Sequence, residues 1–334
     1  MTVRDDVAAL IAESDLIDLH VESFIWTRLF GYQIGVAHER TPLGDRYFGH
    51  ADLPRARAAG VTGLVMSIAT NPFRSVTGRR SALERNLAQL RRLLAGNDAA
   101  VVSDTAGYRR ARADGRLACF LALQGGNATT ADDLGRPELA DVSRITLVHL
   151  TRSKLGSTSA PSGGRGGLTA EGRRVVEAMA ERSIILDLAH ASPRTFWDAL
   201  DVHPPDRPVI VSHTGASAQQ PSWRNVDDDQ IRAVADRGGV VGVMFHRGFL
   251  ARPARLARAA DVARHVEHVV RVGGEDCAAI GSDFDGTIVP PPDLADVLAL
   301  PRLVEAMLDR GVGRGAVAKL LGANYLRVVD AVRA

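Results

Sequence analysis

Residues 208–246, PVIVSHTGASAQQPSWRNVDDDQIRAVADRGGVVGVMFH, contain two apolar runs separated by an amphipathic segment. The runs PVIVSHTG (208–215) and GVVGVMFH (239–246) have the length and the β-branched content of buried strands. Between them, DDQIRAVADRG (228–238) spaces its apolar residues three and four apart, as a helix that packs by one face does. Since strands that are apolar on both faces belong to parallel sheets covered by helices, this stretch predicts a strand–helix–strand unit.

The same unit repeats along the whole chain. The predicted strands are residues 16–23, 61–70, 117–125, 143–150, 183–190, 208–215, 239–246 and 277–286, and helical patterns include residues 81–95, 171–182 and 261–272. Eight such units in a chain of 334 residues predict an α/β fold, a closed (β/α)₈ TIM barrel. A doubly wound open sheet is the alternative, but no Gly-x-Gly-x-x-Gly opens a helix after the first strand. Without a linker or an internal repeat, residues 1–334 are expected to form a single domain.

Composition narrows the function classes. The net charge is +2, with 46% hydrophobic and 24% charged residues, so we expect a soluble protein that binds neither nucleic acid nor a membrane. The first 15 residues have the pattern of an acid-bearing amphipathic helix and not of an apolar leader, which favours a cytoplasmic location. Cys119 and Cys277 lie in apolar strand runs and are predicted to be two buried thiols, with a disulfide as the alternative.

Polar side chains stand at the carboxyl ends of the predicted strands. They are His20, Glu22, Gln124, His149, His190, His213 and Asp283. In a closed barrel these ends all open onto one face, where active sites form. A lone histidine at a strand end is usually a packing residue, but four histidines and two carboxylates on one rim predict a site for zinc or a similar divalent ion.

The order and spacing of these residues resemble the membrane (renal) dipeptidase family of the amidohydrolase superfamily. The family's His-x-Asp stands here as His20-Val21-Glu22, and its Glu-Gly-x-His as Gln124-Gly125-Gly126-Asn127. The other matching segments are Thr146-Leu147-Val148-His149, Gly167-Leu168-Thr169, Asp187-Leu188-Ala189-His190, Ser212-His213-Thr214, Arg224-Asn225, GSDFDG (281–286) and LGANYLR (321–327). The resemblance extends from about residue 14 to residue 330.

The resemblance implies a metallo-dependent hydrolase that cleaves a dipeptide or a small amide with a free carboxylate. It implies two metal ions bridged by a glutamate at position 124, one bound at positions 20, 22 and 283 and the other by His190 and His213. His149 is implied to polarise the substrate carbonyl, and Arg224, with Asn225 beside it, to bind the substrate carboxylate. Relatives are often homodimers, so a homodimer is possible here as well.

Two of the predicted ligands depart from the family pattern. Glu22 replaces an aspartate and keeps its charge, whereas Gln124 replaces the bridging glutamate with a neutral amide that offers one carbonyl oxygen. Removing a negative charge between two dications weakens their joint binding. We therefore expect one zinc ion between the first and last strands, bound by His20, Glu22 and Asp283, with His190 and His213 as further candidate ligands and Asp283 as the remaining general base. Two weakly held ions are a second outcome. The alternative is a metal-poor homologue, either a small-peptide binder or a biosynthetic tailoring enzyme.

Other polar residues are predicted to have structural roles. His265 and His268 lie one turn apart on a predicted helix, and Asp52 precedes a predicted helix start. Asp187 lies three residues before His190, so strand alternation predicts that it points out of the barrel. Asp285 lies two residues after Asp283 and is predicted to share its side and support the ligands.

Overall fold

The protein is a parallel barrel in the computed structural model, which describes residues 3–39, 47–69, 76–151 and 153–333. The nine strands of the described residues are β1 (Ile17–Val21), β2 (Gly63–Ala69), β3 (Ala99–Val102), β4 (Leu117–Gln124), β5 (Val142–Thr146), β6 (Ile185–Asp187), β7 (Val209–Thr214), β8 (Val240–Val243) and β9 (Ala278–Ile280). Eight of them are hydrogen-bonded neighbours in the order β1-β2-β4-β5-β6-β7-β8-β9.

The barrel closes between its first and last strands. The Asp283 N–H donates to the His20 carbonyl at 3.1 Å, and the Glu22 N–H donates to the Phe284 carbonyl at 3.0 Å. Val21 and Phe284 form the parallel bridge between these two bonds. The predicted closed (β/α)₈ barrel is therefore confirmed.

Strand β3 was not predicted. Ala99–Val102 pairs with the first half of β4, while β5 pairs with the second half, from Leu121 to Gln124. The run AAVV is only four residues long and follows a helix after three turn residues, so its sequence carries little strand signal. It widens the sheet at the amino-terminal side of β4 and leaves the barrel order unchanged.

Helices cover the outside of the barrel. The thirteen α-helices of the described residues are α1 (Asp5–Glu13), α2 (Ser23–Phe30), α3 (Leu53–Ala58), α4 (Val76–Ala95), α5 (Thr105–Ala113), α6 (Ala170–Glu181), α7 (Pro193–Val202), α8 (Asp228–Asp236), α9 (Arg247–Leu250), α10 (Ala259–Gly273), α11 (Leu300–Asp309), α12 (Arg314–Ala318) and α13 (Asn324–Arg333). Side-chain caps fix several starts: Asp227 and Gln230 form a capping box on α8, and Asp52 accepts from the Arg55 N–H on α3, as predicted for a helix start.

The amino-terminal mouth of the barrel is filled. Helix α13 packs Tyr325 edge-on against Phe120, with ring centroids 5.4 Å apart, inside an apolar cluster that includes Ile17. Its end is tied to the strand starts, because Arg333 donates to the Ser183 carbonyl at 2.9 Å. Within the barrel itself, the described residues leave the carboxyl-end face open.

The two cysteines are both buried and free, so the prediction of two buried thiols is confirmed. Among the described residues, no helix combines the length and the apolar character that crossing a bilayer requires.

Candidate metal centre

The predicted site residues converge at the open face. His20, Gln124 and His213 lie within β1, β4 and β7, while Glu22 and Asp283 follow β1 and β9. A cavity of about 230 Å³ at this face is lined by Glu22, Gln124, His149, Leu150, His190, Trp223, Arg224, Met244, His246, Phe249, Asp283, Gly286, Thr287 and Ile288. His20 and His213 lie fully buried at the base of the site.

Two site residues occupy strained backbone positions. His190 has a φ of 65° and Asp283 a φ of 62°, in the left-handed region that non-glycine residues rarely adopt. Each follows its strand by three residues, so the strands predicted over 183–190 and 277–286 end earlier than expected. The turns bring the side chains of His190 and Asp283 to the cavity.

Three nitrogen atoms meet on one side of the centre. His190 Nε2 lies 2.9 Å from His213 Nε2, and the Gln124 amide nitrogen lies 3.3 Å and 3.4 Å from these two atoms. The amide oxygen and nitrogen of glutamine are nearly indistinguishable in shape, so turning the amide over places Oε1 where Nε2 stands. These residues can therefore offer two imidazole nitrogens and one carbonyl oxygen to a cation.

The other side of the centre brings His20 to the two carboxylates. His20 Nε2 lies 3.7 Å from Glu22 Oε1 and 3.8 Å from Asp283 Oδ1. The His20 ring stacks on the His213 ring with centroids 3.7 Å apart. Ligand atoms of His20, His213 and Asp283 all lie within 4.8 Å of one another, a spacing that suits a shared cation.

The donor set fits a divalent cation. Three of its atoms, His20 Nε2, Glu22 Oε1 and Gln124 Oε1, are buried without a hydrogen-bond partner among the described residues. Leaving buried polar atoms unpaired is costly, and a cation bound between them would satisfy them together.

Burial sets the protonation of this donor set. It lowers the pKa values of His20, His190 and His213 well below the usual histidine range, so the three rings are neutral and able to bind a metal ion. Burial also raises the pKa of Glu22 to about 7, and burial together with the Glu22 charge raises that of Asp283 well above the usual range. A bound cation would favour the ionised carboxylates.

A buried ion pair that the sequence analysis missed lies beneath the centre. Arg144 and Asp187 are both fully buried and pair directly, and Asp187 also accepts from the hydroxyls of Thr146 and Ser212, each at 2.6 Å. The prediction that Asp187 points out of the barrel is wrong, because the chain leaves strand geometry after Asp187 and alternation cannot be counted back from His190. The only sequence signal was an arginine inside the apolar run SRITLVHL.

Arg224 and His149 form the polar part of the cavity wall. Arg224 is buried and donates to the His213 carbonyl at 2.6 Å, and no carboxylate of the described residues lies within ion-pair distance of it. Burial lowers its pKa to about 10, which leaves it charged at neutral pH. Burial lowers the pKa of His149 to about 4, so this ring is neutral.

Asn225 occupies a different place from the expected substrate contact. Its amide oxygen accepts from the Gly215 N–H at 3.1 Å, and its amide nitrogen donates to the carbonyls of Gln220 and Phe249, each at 2.8 Å. All of these partners are backbone groups, so Asn225 braces the loop that carries Arg224.

The remaining polar residues have mostly the expected structural contacts. His265 accepts from the Ala216 N–H at 2.9 Å and lies 3.1 Å from the Leu250 carbonyl, and His268 lies 2.6 Å from Asp228. Asp285 differs from its prediction, since its carboxylate accepts from the His50 N–H at 2.8 Å and from Ser23, and not from any predicted ligand.

Comparisons with known proteins identify relatives. The model of the family described as Membrane dipeptidase (Peptidase family M19) matches residues 4–334. The chain is 38% identical over 171 residues to an uncharacterised protein in the pqqA 5′ region of Klebsiella pneumoniae, a match that covers 50% of this chain and 61% of that protein. It is 29% identical to the dipeptidase aclJ of Aspergillus oryzae, covering 98% of this chain and 81% of the relative. Among solved structures, a metallopeptidase from Rhodobacter sphaeroides bound to a phosphinate mimic of the dipeptide L-Ala-D-Ala superimposes with a TM-score of 0.79 at 25% identity, covering 96% of this chain and 99% of that one.

Proposed function

This chain belongs to the membrane dipeptidase family of metallopeptidases, and we propose that it hydrolyses a dipeptide or a small amide that bears a free carboxylate. The observation that carries the proposal is the convergence of His190, His213 and Gln124, whose side-chain nitrogens lie within 3.4 Å of one another, near Arg224, a buried cation without a carboxylate partner among the described residues. The first group of atoms fits a metal ion, and the second fits an anionic substrate group.

The charges of the site favour one divalent ion, which we propose to be zinc. Arg144 is neutralised by Asp187, and Gln124 contributes no charge. The carboxylates of Glu22 and Asp283 balance one divalent ion, and Arg224 is left to balance the substrate carboxylate. A second ion would leave two uncompensated positive charges in a buried site, which is costly.

The residues around the ion divide the chemistry between them. Bound zinc would supply Lewis acidity, polarising the scissile carbonyl and lowering the pKa of the attacking water. Asp283, whose pKa burial raises, accepts the proton of that water. His149, a neutral ring at the cavity wall, donates a hydrogen bond to the carbonyl oxygen.

The rest of the cavity wall suits an apolar substrate side chain. Trp223 and Phe249 meet edge to face with centroids 5.3 Å apart, and Met244 and Ile288 line the same cavity. Because Trp223 directly precedes Arg224, a substrate whose carboxylate binds Arg224 places its neighbouring side chain near this wall. We propose that residues with large apolar side chains are preferred at the carboxyl-terminal position.

The relatives support this function over the alternatives. The Aspergillus relative is named a dipeptidase, and the Rhodobacter metallopeptidase binds a dipeptide mimic. Neither favours a metal-free peptide binder or a tailoring enzyme. A homodimer and a cytoplasmic location stay predictions.

The test combines metal analysis with hydrolysis. The protein is purified without chelators, zinc per chain is counted by mass spectrometry, and a dipeptide panel is assayed before and after zinc is added. We expect about one zinc per chain and hydrolysis that a His213→Asn variant loses together with the metal. Protein that binds no zinc even when supplemented, and cleaves no dipeptide, would show the proposal to be wrong.

A further inference from the structure

His213 is prepared to bind a metal ion through Nε2. Its Nδ1 lies 2.8 Å from Ser212 Oγ, and that hydroxyl lies 2.6 Å from Asp187 Oδ2. Because a carboxylate only accepts, Ser212 donates to Asp187 and accepts from the Nδ1–H of His213. The ring proton is thereby fixed on Nδ1, and Nε2 presents its lone pair to the site, as a histidine ligand requires.

The Nδ1 atom of His20, in contrast, faces a guanidinium that can only donate hydrogen bonds. Arg144 Nη2 lies 3.2 Å from His20 Nδ1 and donates to Ser67 Oγ at 2.8 Å, and that oxygen lies 3.2 Å from the same Nδ1. A guanidinium has N–H donors and no acceptor, so a proton on Nδ1 would set two donors against each other. In the favourable arrangement Nδ1 accepts, and the proton of the neutral ring lies on Nε2.

Arg144 is held in this position by its surroundings. It is fully buried, and its other terminal nitrogen, Nη1, pairs with Asp187 and lies 3.3 Å from Thr146 Oγ1. Turning the guanidinium away from His20 would leave a buried carboxylate and a buried cation unpaired. The donor that faces His20 is therefore a fixed part of the site.

We propose that Arg144 keeps the ring proton of His20 on Nε2, so that Nε2, which lies 3.7 Å from Glu22 and 3.8 Å from Asp283, has no lone pair for a cation, and the single ion is held on the His190–His213 side. The inference rests on the proposed function and specifies which half of the metal centre is occupied. Arg144 is a positioning residue, because it acts through His20. Gln124, whose amide nitrogen lies beside His190 and His213, offers its oxygen to the same ion when the amide is turned over.

The first test reads the proton of His20 directly in the wild-type protein. The full chain is labelled with ¹⁵N-histidine and stripped of metal, and long-range ¹H–¹⁵N correlation spectra show which ring nitrogen carries hydrogen, with a His20→Asn variant for assignment. We expect hydrogen on Nε2 of His20 and on Nδ1 of His213. Hydrogen on Nδ1 of His20 would overturn the proposal, whatever the variants below do.

The second test changes the donor. In Arg144→Gln the side chain is neutral, and its amide oxygen can accept from the Nδ1–H of His20, whereas Arg144→Lys keeps a charged donor. We expect zinc per chain to rise from one towards two in Arg144→Gln and to stay at one in Arg144→Lys. Arg55→Gln, which removes a buried guanidinium paired with Asp52 outside the site, is the matched control and should also stay at one.

The results separate this inference from the proposed function. If the wild type binds zinc and cleaves dipeptides but Arg144→Gln gains no zinc, the inference is wrong and the function stands. If the wild type binds no zinc, the function fails, while the tautomer of His20 is still measured in metal-free protein.

Discussion

Position 124 determines how strongly this centre attracts a cation. A glutamine there gives a carbonyl oxygen where a glutamate would give a full negative charge beside His190 and His213. Gln124→Glu should therefore tighten zinc binding about tenfold or more, since each factor of ten corresponds to about 1.4 kcal/mol. Competitive titration against a zinc dye measures the change. Gln219→Glu adds the same charge on the loop near His268 and should leave zinc affinity unchanged; an equal gain there would contradict a specific role for position 124.

Arg224 supplies a fork of donors as well as a charge. Arg224→Lys keeps the charge but loses the two-pronged contact with a carboxylate, so KM for dipeptides should rise about tenfold to a hundredfold. Amides of the same dipeptides, which lack the carboxylate, serve as controls and should change little between wild type and variant. If both substrate classes respond equally, Arg224 does not recognise the carboxylate.

The strands β7, β8 and β9 approach one another closely enough to fix the position of His213. A Cβ added to Gly281 would lie 1.8 Å from the Ser212 carbonyl oxygen, which belongs to rigid backbone next to His213. Gly281→Ala should lower the free energy of unfolding by about 2 kcal/mol or more and weaken zinc binding. Gly315, in α12, has open space around its Cβ position, so Gly315→Ala should be neutral or stabilise by up to about 1 kcal/mol. Denaturant unfolding and zinc titration of both variants provide the check.

Helix α10 anchors the Arg224 loop through His265. Burial lowers the pKa of His265 to about 4 from an ordinary 6.5, so its stabilising contribution is present above pH 6.5 and is lost as the pH falls towards 4. Between pH 7 and pH 5 the free energy of unfolding should fall by about 2 kcal/mol because of this group. His265→Gln can keep both backbone hydrogen bonds without titrating, so it should lose less stability over this range than the wild type. Urea unfolding of metal-free protein at both pH values measures the difference, and equal losses would show that His265 is not the titrating group.

Sequence periodicity predicted which segments are helices and strands better than it predicted the residues at which they end. The helical pattern over 171–182 matches α6 (Ala170–Glu181), because a long amphipathic stretch has a strong period. The predicted ends of β6 and β9 lie several residues too late. After each strand the chain enters a turn, and the pattern of apolar residues does not show the left-handed residues of these turns, His190 and Asp283. The turn after β6 is also the reason why the side-chain direction of Asp187 was predicted wrongly.

The site was predictable as a set of residues but not as a network. Residue type and strand-end position place His20 and Asp283 on one rim, as the structure shows. The contact between Arg144 and His20 depends on a long side chain that crosses from β5 to β1, and no local pattern encodes such a contact. Asn225 is a residue of the expected motif, but its amide makes all of its hydrogen bonds with backbone groups.

The barrel places its apolar core and its metal centre in different regions. Apolar clusters lie between the barrel and its helices, and inside the barrel towards the mouth that α13 fills, whereas the metal centre occupies the opposite end. The fold therefore does not need the ion to bury its core, in contrast to small domains that fold only around zinc.

Metal removal should consequently lower the melting temperature without unfolding the protein. An ion that binds only the native state at a hundred times its Kd stabilises by about 2.7 kcal/mol, which for a chain of this size corresponds to a rise of about 4 °C. We expect chelator-treated protein to keep its circular dichroism spectrum and to melt cooperatively, with a Tm that rises as zinc is added. His213→Asn, which removes the nitrogen shared by both sides of the centre, should melt near the chelated wild type and respond little to zinc. Loss of structure in chelator would instead assign the ion a role in folding, and a Tm indifferent to zinc would argue against a metal centre at this face of the barrel.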